Sequence, residues 1–306
     1  MSGFRRISVR SAPATGPIRA PPTATQDSGQ RLPVAPKVGW RRPSPDTTQG
    51  LVVTYTYWRE ALGATMSSET VSADEIARFN ALATEWWNPN GPMRPLHQMN
   101  PARIDWIVTR IDRRFPDRSH VRILDLGCGA GIASEALARA GFDVLGVDAA
   151  ADAIKAGRMH AQSQVQGQTQ LHLRYQVGLA EDLLGDGTRF DVITALEVIE
   201  HVPDPASFVR VLRRLLRPSG LMFLSTLNRT PESFAAAKLG AEYLLRYLPV
   251  GTHDWRKFIK PSEMALFLRD AGFWLSDSAG LSVDPGKGGW RTGRNLRVGY
   301  LIEATG

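Results

Sequence analysis

The chain predicts an α/β fold, a mostly parallel sheet with helices on both faces, on three observations. The apolar run Ile123-Leu124-Asp125-Leu126 passes straight into Gly127-Cys128-Gly129-Ala130-Gly131, and a helical pattern follows. Between residues 121 and 227, short strand-like runs alternate with segments of helical period, as they do where crossover helices join parallel strands. An apolar content of 43% over 306 residues supplies one large core or two small ones.

Residues 1–65 stand apart from this pattern. They hold eight prolines and no sustained apolar period, so a disordered basic extension is expected. They carry nine Lys/Arg against three Asp/Glu, whereas the rest of the chain carries 28 against 27. The basic excess therefore belongs to the extension, which argues against a phosphate-tracking surface on the folded part and against nucleic acid as a partner. Arg5, Arg6, Arg10 and Arg19 without an acid resemble a mitochondrial presequence, but Pro21-Pro22 breaks its helix. The competing reading is an over-called extension before Met66. Cys128 is the single cysteine, which excludes an intrachain disulfide, and inside the glycine loop it reads as a small packing residue.

Order is expected from Ser72, which makes a capping box with Glu75, and Ile76, Phe79, Ala83, Trp86 and Trp87 fall on one helical face. Asn88-Pro89-Asn90-Gly91-Pro92 ends that helix. Asn100 as N-cap with Pro101 at the first position starts a second, with Ile104, Ile107, Val108 and Ile111 as its apolar stripe. Strands follow at Val121–Leu126, Asp143–Val147, Leu171–Gln176, Phe190–Leu196 and, after the turn Pro218-Ser219-Gly220, Leu221–Leu227. Between them lie helices at Ile132–Ala140, at Ala150–Gln164, and from the Asp204-Pro205 cap to Leu216. A helix over Pro261–Ala271 and strands over Leu275–Leu281 and Val298–Ala304 complete a seven-stranded sheet. No internal repeat is present.

The glycine spacing limits the cofactor. Gly127, Gly129 and Gly131 alternate, and Ile132 stands where a dinucleotide fingerprint needs its third glycine. The Lys-Ser/Thr ending of a triphosphate loop is also missing. Asp125 before the glycines and Asp148 at the end of strand two suit a ligand with an ammonium and a ribose diol, and S-adenosylmethionine (SAM) has both. After strand four, where open α/β sheets place their chemistry, Glu197, Glu200 and His201 lie within five residues. Such a group can bind a divalent cation such as Mg2+ or act as acid and base.

Asp125 to Gly131 resembles motif I of class I SAM-dependent methyltransferases, and flanking segments narrow the likeness. Glu75-Ile76-Ala77-Arg78-Phe79, Trp86-Trp87, Pro95-Leu96-His97 and Asn100-Pro101-x-Arg103 are similar to the N-terminal region of the ubiquinone biosynthesis O-methyltransferases. So are the segments Glu197 to Pro205, Ser225 to Arg229, and Gly251 to Pro261. The resemblance covers residue 72 to the C-terminus.

The resemblance implies the class I SAM-methyltransferase, Rossmann-like fold over 66–306, with N-terminal helices at 72–117, a cofactor-binding core at 121–227 and a helical insertion at 230–260. It implies two O-methylations, of a polyprenyl-hydroxyphenol and of demethylubiquinol; the alternative is another small phenolic or quinol acceptor. Arg103, Gly127, Asp148 and Leu196 are the implied cofactor positions, with Arg103 on the methionyl carboxylate. Glu200 and His201 are the catalytic candidates, and a cation on Glu197, Glu200 and His201 competes with His201 as direct base. Phe234 to Leu248 is dense in apolar residues flanked by Arg and Lys. It is too short and charged to span a bilayer and suits an anionic membrane surface or a cover over the active site. A peripheral place on the bacterial inner membrane, or on the matrix face of the mitochondrial one, and a ubiquinone-synthesis complex complete the expectations.

Overall fold

A computed structural model describes residues 72–163, 171–185, 187–236, 255–284, 286 and 289–306. The extension 1–65, most of the apolar insertion between 237 and 254, and the Gly251-Thr252-His253-Asp254 end of one family segment lie outside these residues.

Helix α1 (Ala73–Ala81) starts on Ser72, whose hydroxyl accepts from the Glu75 amide. Helix α2 (Arg94–Arg114) begins earlier than Asn100, with Pro95 in its first turn and Pro101 inside it. Pro95 takes the N-terminal place that suits a proline, and the Asn100 side chain is spent on the Ile132 carbonyl instead of on a cap. Trp86 and Trp87 lie past α1, after a 3-10 turn at Ala83–Glu85, and do not extend its face.

The alternating core follows: β1 (Arg122–Leu126), α3 (Ile132–Arg139), β2 (Asp143–Asp148), α4 (Ala151–Ser163), β3 (Leu173–Val177), β4 (Phe190–Leu196), α5 (Pro205–Leu215) and β5 (Leu216–Leu227). Then come α6 (Pro261–Asp270), β6 (Trp274–Val283), β7 (Trp290–Gly293) and β8 (Gly299–Thr305). The sheet has eight strands, in the order β3-β2-β1-β4-β5-β8-β6-β7. The expected seventh-strand limit fails at one edge, where β7 pairs antiparallel with β6. Four residues rich in Arg, Thr and Gly gave no period to detect. The Pro218-Ser219-Gly220 turn falls inside β5, as an irregularity in its pairing with β4, with Ser219 at φ 60.

Strand alternation sorts side chains into two layers. Ile123, Phe223 and Leu301 face one layer with Ile104, Ile107 and Ile111 of α2, while their neighbours Leu124, Leu224 and Ile302 face the other with α5 and α6. Each fully buried aliphatic or aromatic chain contributes about 1.5–3 kcal/mol, so the register of the central strands is strongly specified. A third cluster joins Leu82, Trp86 and Met93 to Ala130, Ile132 and Ala153, and fastens the N-terminal segment to the glycine loop. Strand order reverses between β1 and β4, and the crevice beyond their C-terminal ends is where an open α/β sheet receives ligands.

Candidate active site

Beyond β1 the backbone turns through Gly127, Gly129 and Gly131, at φ 67, 56 and 90. These left-handed values explain the three glycines, since a side chain costs energy there. The loop is tied to β2. The amides of Gly127 and Cys128 donate to the Val147 carbonyl, and the Asp148 carboxylate accepts from Gly129 N and from Ala150 N, each at 2.8 Å. Burial raises the Asp148 pKa, and those backbone donors pull it back. Beneath the loop, Asp125 accepts from Ser134 Oγ and Thr194 Oγ1, both at 2.6 Å, and burial raises its pKa. Cys128 is buried, and desolvation lifts its thiol well above the ordinary range, as suits a packing residue.

One cavity of ≈ 1260 Å³ brings together every site residue expected from the sequence: Arg103, Gly127, Asp148, Leu196, Glu197, Glu200 and His201. Its size exceeds the usual range of roughly 300–1,000 Å³ for a single small ligand and leaves room for cofactor and acceptor together. Val283 and Trp290 of the β6–β7 hairpin and Val298, just before β8, also line it; no spacing in the sequence marks them as site residues.

Arg103 is the most informative group. It is 3% exposed, its Nη2 donates to Asn100 Oδ1 at 3.3 Å, and its Nη1 stands 3.8 Å from Glu197 Oε1. Its Nε and Nη1 have no hydrogen-bond partner. A buried guanidinium with open donors on a cavity wall is built for an incoming anion, because leaving a charge unsatisfied in the interior is costly. A planar carboxylate matches that fork. With the glycine loop and Asp148 alongside, the donor set fits SAM.

At the end of β4, Glu197 takes φ 58, and its amide donates to Ser225 O, while Ser225 Oγ donates to Glu197 Oε1 at 2.6 Å. Glu200 is 6% exposed and accepts from Thr226 Oγ1 at 2.9 Å. Burial, reinforced by the Glu197 charge, pushes its pKa up to about 7. His201 Nδ1 lies 3.5 Å from Glu75 Oε2. Burial disfavours its charged form, yet the hydrogen bond it donates to Glu75 and the charges of Glu200, Glu75 and Glu197 win, and its pKa is raised.

The metal expectation gains no support from the arrangement. Among the described residues no group of three or more His, Cys, Asp or Glu side chains stands as a metal-holding cluster. Glu197, Glu200 and His201 engage Ser225, Thr226 and Glu75 respectively. The set has suitable donors in kind, and no step is routed through a cation.

The sequence pattern makes Glu75 the return arm of a capping box. Ser72 does cap the helix, but the Glu75 carboxylate turns to Arg78 and His201. Trp86 lies against Gly129, and Trp87 donates its indole N–H to the Ala130 carbonyl at 3.1 Å. The N-terminal segment thus covers the loop. Among the described residues no helix is long and apolar enough to cross a membrane.

Comparison with known proteins gives a consistent result. A family described as a methyltransferase domain matches residues 96–276. A protein of Cereibacter sphaeroides named ubiquinone biosynthesis O-methyltransferase is 46% identical over 247 residues, spanning 78% of this chain and 98% of its own. A protein of the same name from Azorhizobium caulinodans is 43% identical over 243 residues, spanning 77% and 94%. Among solved structures, a magnesium protoporphyrin IX methyltransferase from Synechocystis with bound SAH superposes with a TM-score of 0.53 at 19% identity, over 76% of this chain and 99% of that one. At that identity the likeness concerns the fold alone.

Proposed function

The chain belongs to the ubiquinone biosynthesis O-methyltransferase family and has its class I SAM-dependent methyltransferase fold, and from that premise we propose how its cavity performs the transfer. It is a SAM-dependent O-methyltransferase of the type that carries out the two O-methylations of ubiquinone biosynthesis, on a polyprenylated phenol or quinol. The observation that carries the cofactor reading is the buried Arg103 with two open donors beside the glycine loop.

SAM supplies an electrophilic methyl group on a sulfonium. Arg103 would hold its carboxylate, the backbone at Gly127 would admit it closely, Asp148 would accept from the ribose hydroxyls, and Leu196 would border the reacting centre. Asp148 keeps acceptor capacity for this, since each oxygen takes one backbone amide and a carboxylate offers about four lone-pair sites. His201 takes the proton of the acceptor hydroxyl, whose ordinary pKa is near 10. Bound SAM would supply the methyl carbon to the phenolic oxygen, and the proton of that hydroxyl would stay on the imidazole. Glu200, half-protonated near neutrality, limits the negative charge around that oxygen. Holding both reactants in line supplies most of the acceleration.

Assay of the full chain with SAM and a catechol-type acceptor tests this reading. S-adenosylhomocysteine release that is lost in His201→Ala supports it, and undiminished release in that variant overturns the base assignment. Complementation of a strain lacking ubiquinone O-methylation, scored by the accumulating intermediate, tests the two steps separately.

Two finer readings belong with it. A divalent cation on Glu197, Glu200 and His201 rests on their donor types within five residues and requires His201 to leave Glu75; loss of activity in EDTA and recovery with Mg2+ support it, and full metal-free activity sinks it. Peripheral contact with anionic lipid, on the cytoplasmic side of a bacterial inner membrane, rests on the apolar and basic sequence from Phe234 to Lys260 and on the acceptor's lipid tail. Flotation with liposomes that shows no dependence on anionic lipid removes it.

A further inference from the structure

We propose that Glu75 is a positioning residue for His201, which fixes the imidazole with its Nδ1–H toward α1 and leaves Nε2 as the nitrogen that receives the acceptor's proton. The proposal rests on the reading of His201 as the base. Glu75 is 5% exposed and accepts from Arg78 Nη1 through both oxygens, at 3.2 and 3.3 Å. Its Oε1 lies 3.8 Å from Lys257 Nζ, and its Oε2 lies 3.5 Å from His201 Nδ1. The Phe79 ring, one turn along α1, meets the imidazole edge-on at 5.6 Å and 84°, which restricts its plane. His201 N donates to Val198 O at 2.9 Å, so the backbone of the imidazole is also anchored.

A buried carboxylate on one ring nitrogen selects the tautomer and stabilises the imidazolium that forms when the other nitrogen takes a proton. Without that partner the ring has two tautomers, and only the one with a bare Nε2 can act. Arg78 and Lys257 set two cations against the Glu75 carboxylate. Lys257, which stands against Oε1, determines what an amide does at this place. In Glu75→Gln the carbonyl oxygen belongs on the Oε1 side, facing Lys257, and the amide N–H₂ faces His201. An N–H donor there requires Nδ1 to accept, so the ring proton moves to Nε2 and the base is lost, although the substitution is nearly isosteric.

The experiment uses the full chain labelled with 15N-histidine, in wild type, Glu75→Gln, Glu75→Asp and His201→Ala, with kcat, KM, SAM affinity and imidazole nitrogen shifts measured on each. The expected result for Glu75→Gln is a kcat loss on the order of 100-fold, the size of a general-base contribution. SAM affinity stays unchanged, and the His201 signal moves from the Nδ1–H to the Nε2–H tautomer. Glu75→Asp keeps charge and tautomer and recovers most of the loss. Should Glu75→Gln keep kcat within two-fold while His201→Ala is inactive, the positioning role is wrong and the base stands. Should His201→Ala itself stay fully active, the base reading falls and the positioning role with it. An unchanged tautomer in Glu75→Gln overturns the proposal whatever the rate.

Discussion

Trp86 occupies the space that a side chain on Gly129 requires: a Cβ built there lies 2.0 Å from Trp86 Cζ2. Gly129→Ala therefore meets two penalties. The left-handed backbone at φ 56 costs about 1–2 kcal/mol, and displacing the indole adds about 1–3 kcal/mol of overpacking. The variant is expected to lose SAM binding and several degrees in Tm. Adding Trp86→Ala removes the second penalty only, so the double variant recovers at least about 1 kcal/mol relative to additivity in a thermal-denaturation cycle.

Arg103 stores instability for function. Its guanidinium is buried with Glu197 at 3.8 Å and two donors open. Replacing both members of the pair, in the double variant Arg103→Met/Glu197→Gln, leaves the ligand-free protein as stable as wild type or more stable, by up to about 4 kcal/mol, whereas Arg103→Met alone strands the Glu197 charge and destabilises. Loss of hydrogen bonds worth about 1.5–3 kcal/mol each weakens SAM roughly 10- to 100-fold or more. Calorimetry with and without SAM reads both effects, and in the double variant the ligand-induced rise in Tm shrinks while the apo Tm does not fall.

Glu200 makes stability depend on pH. Its folded pKa is about 7 against an ordinary 4.5, so the folded state binds the proton more tightly than the unfolded one. The resulting stabilisation is complete below pH 4.5 and is lost as pH rises through 7. The shift corresponds to about 3 kcal/mol. Denaturation of wild type and Glu200→Gln at pH 5 and pH 8 checks this: relative to wild type, the variant gains stability at the higher pH. His201, whose pKa is also raised, adds loss of the same sign above its ordinary 6.5. The base itself needs deprotonation, so kcat/KM rises with pH over the window in which this stability declines.

The Trp87 indole stacks on His160 at 3.5 Å and 5°, and His160 Nδ1 meets Glu135 Oε1 at 2.7 Å. These contacts fasten the segment after α1 to α3 and α4. His160→Ala is expected to raise amide exchange in α1 and at residues 83–87 without altering exchange in β1, β4 or β5. Uniform exchange across the sheet in that variant contradicts a local fastening role.

The parallel core was legible because each strand carries its own period and each crossover helix its own cap: Asp204 does accept from the Ser207 amide, and Gly131 does precede a helix. The edge strand β7 was not, since its pleat alternates half-buried with exposed positions and holds no apolar pattern. Cofactor residues could be marked because backbone geometry at Gly127 and the end of β2 follows from local sequence. Glu75 could not, because its partner lies 126 positions away and a capping box explains the same carboxylate locally. Arg103 was found through its motif, while the open donors that give it meaning arise only from packing. For Glu197, Glu200 and His201 the spacing was right, but neighbours on β5 and α1 decide where each side chain goes.

Glu75 and the two tryptophans belong to one short stretch of chain. Trp86 and Trp87 lie over Gly129 and Ala130, while Glu75 reaches His201. One stretch of chain therefore braces the loop that receives the cofactor and supplies the neighbour of the imidazole, so a substitution that loosens its packing is felt at both ends of the cavity.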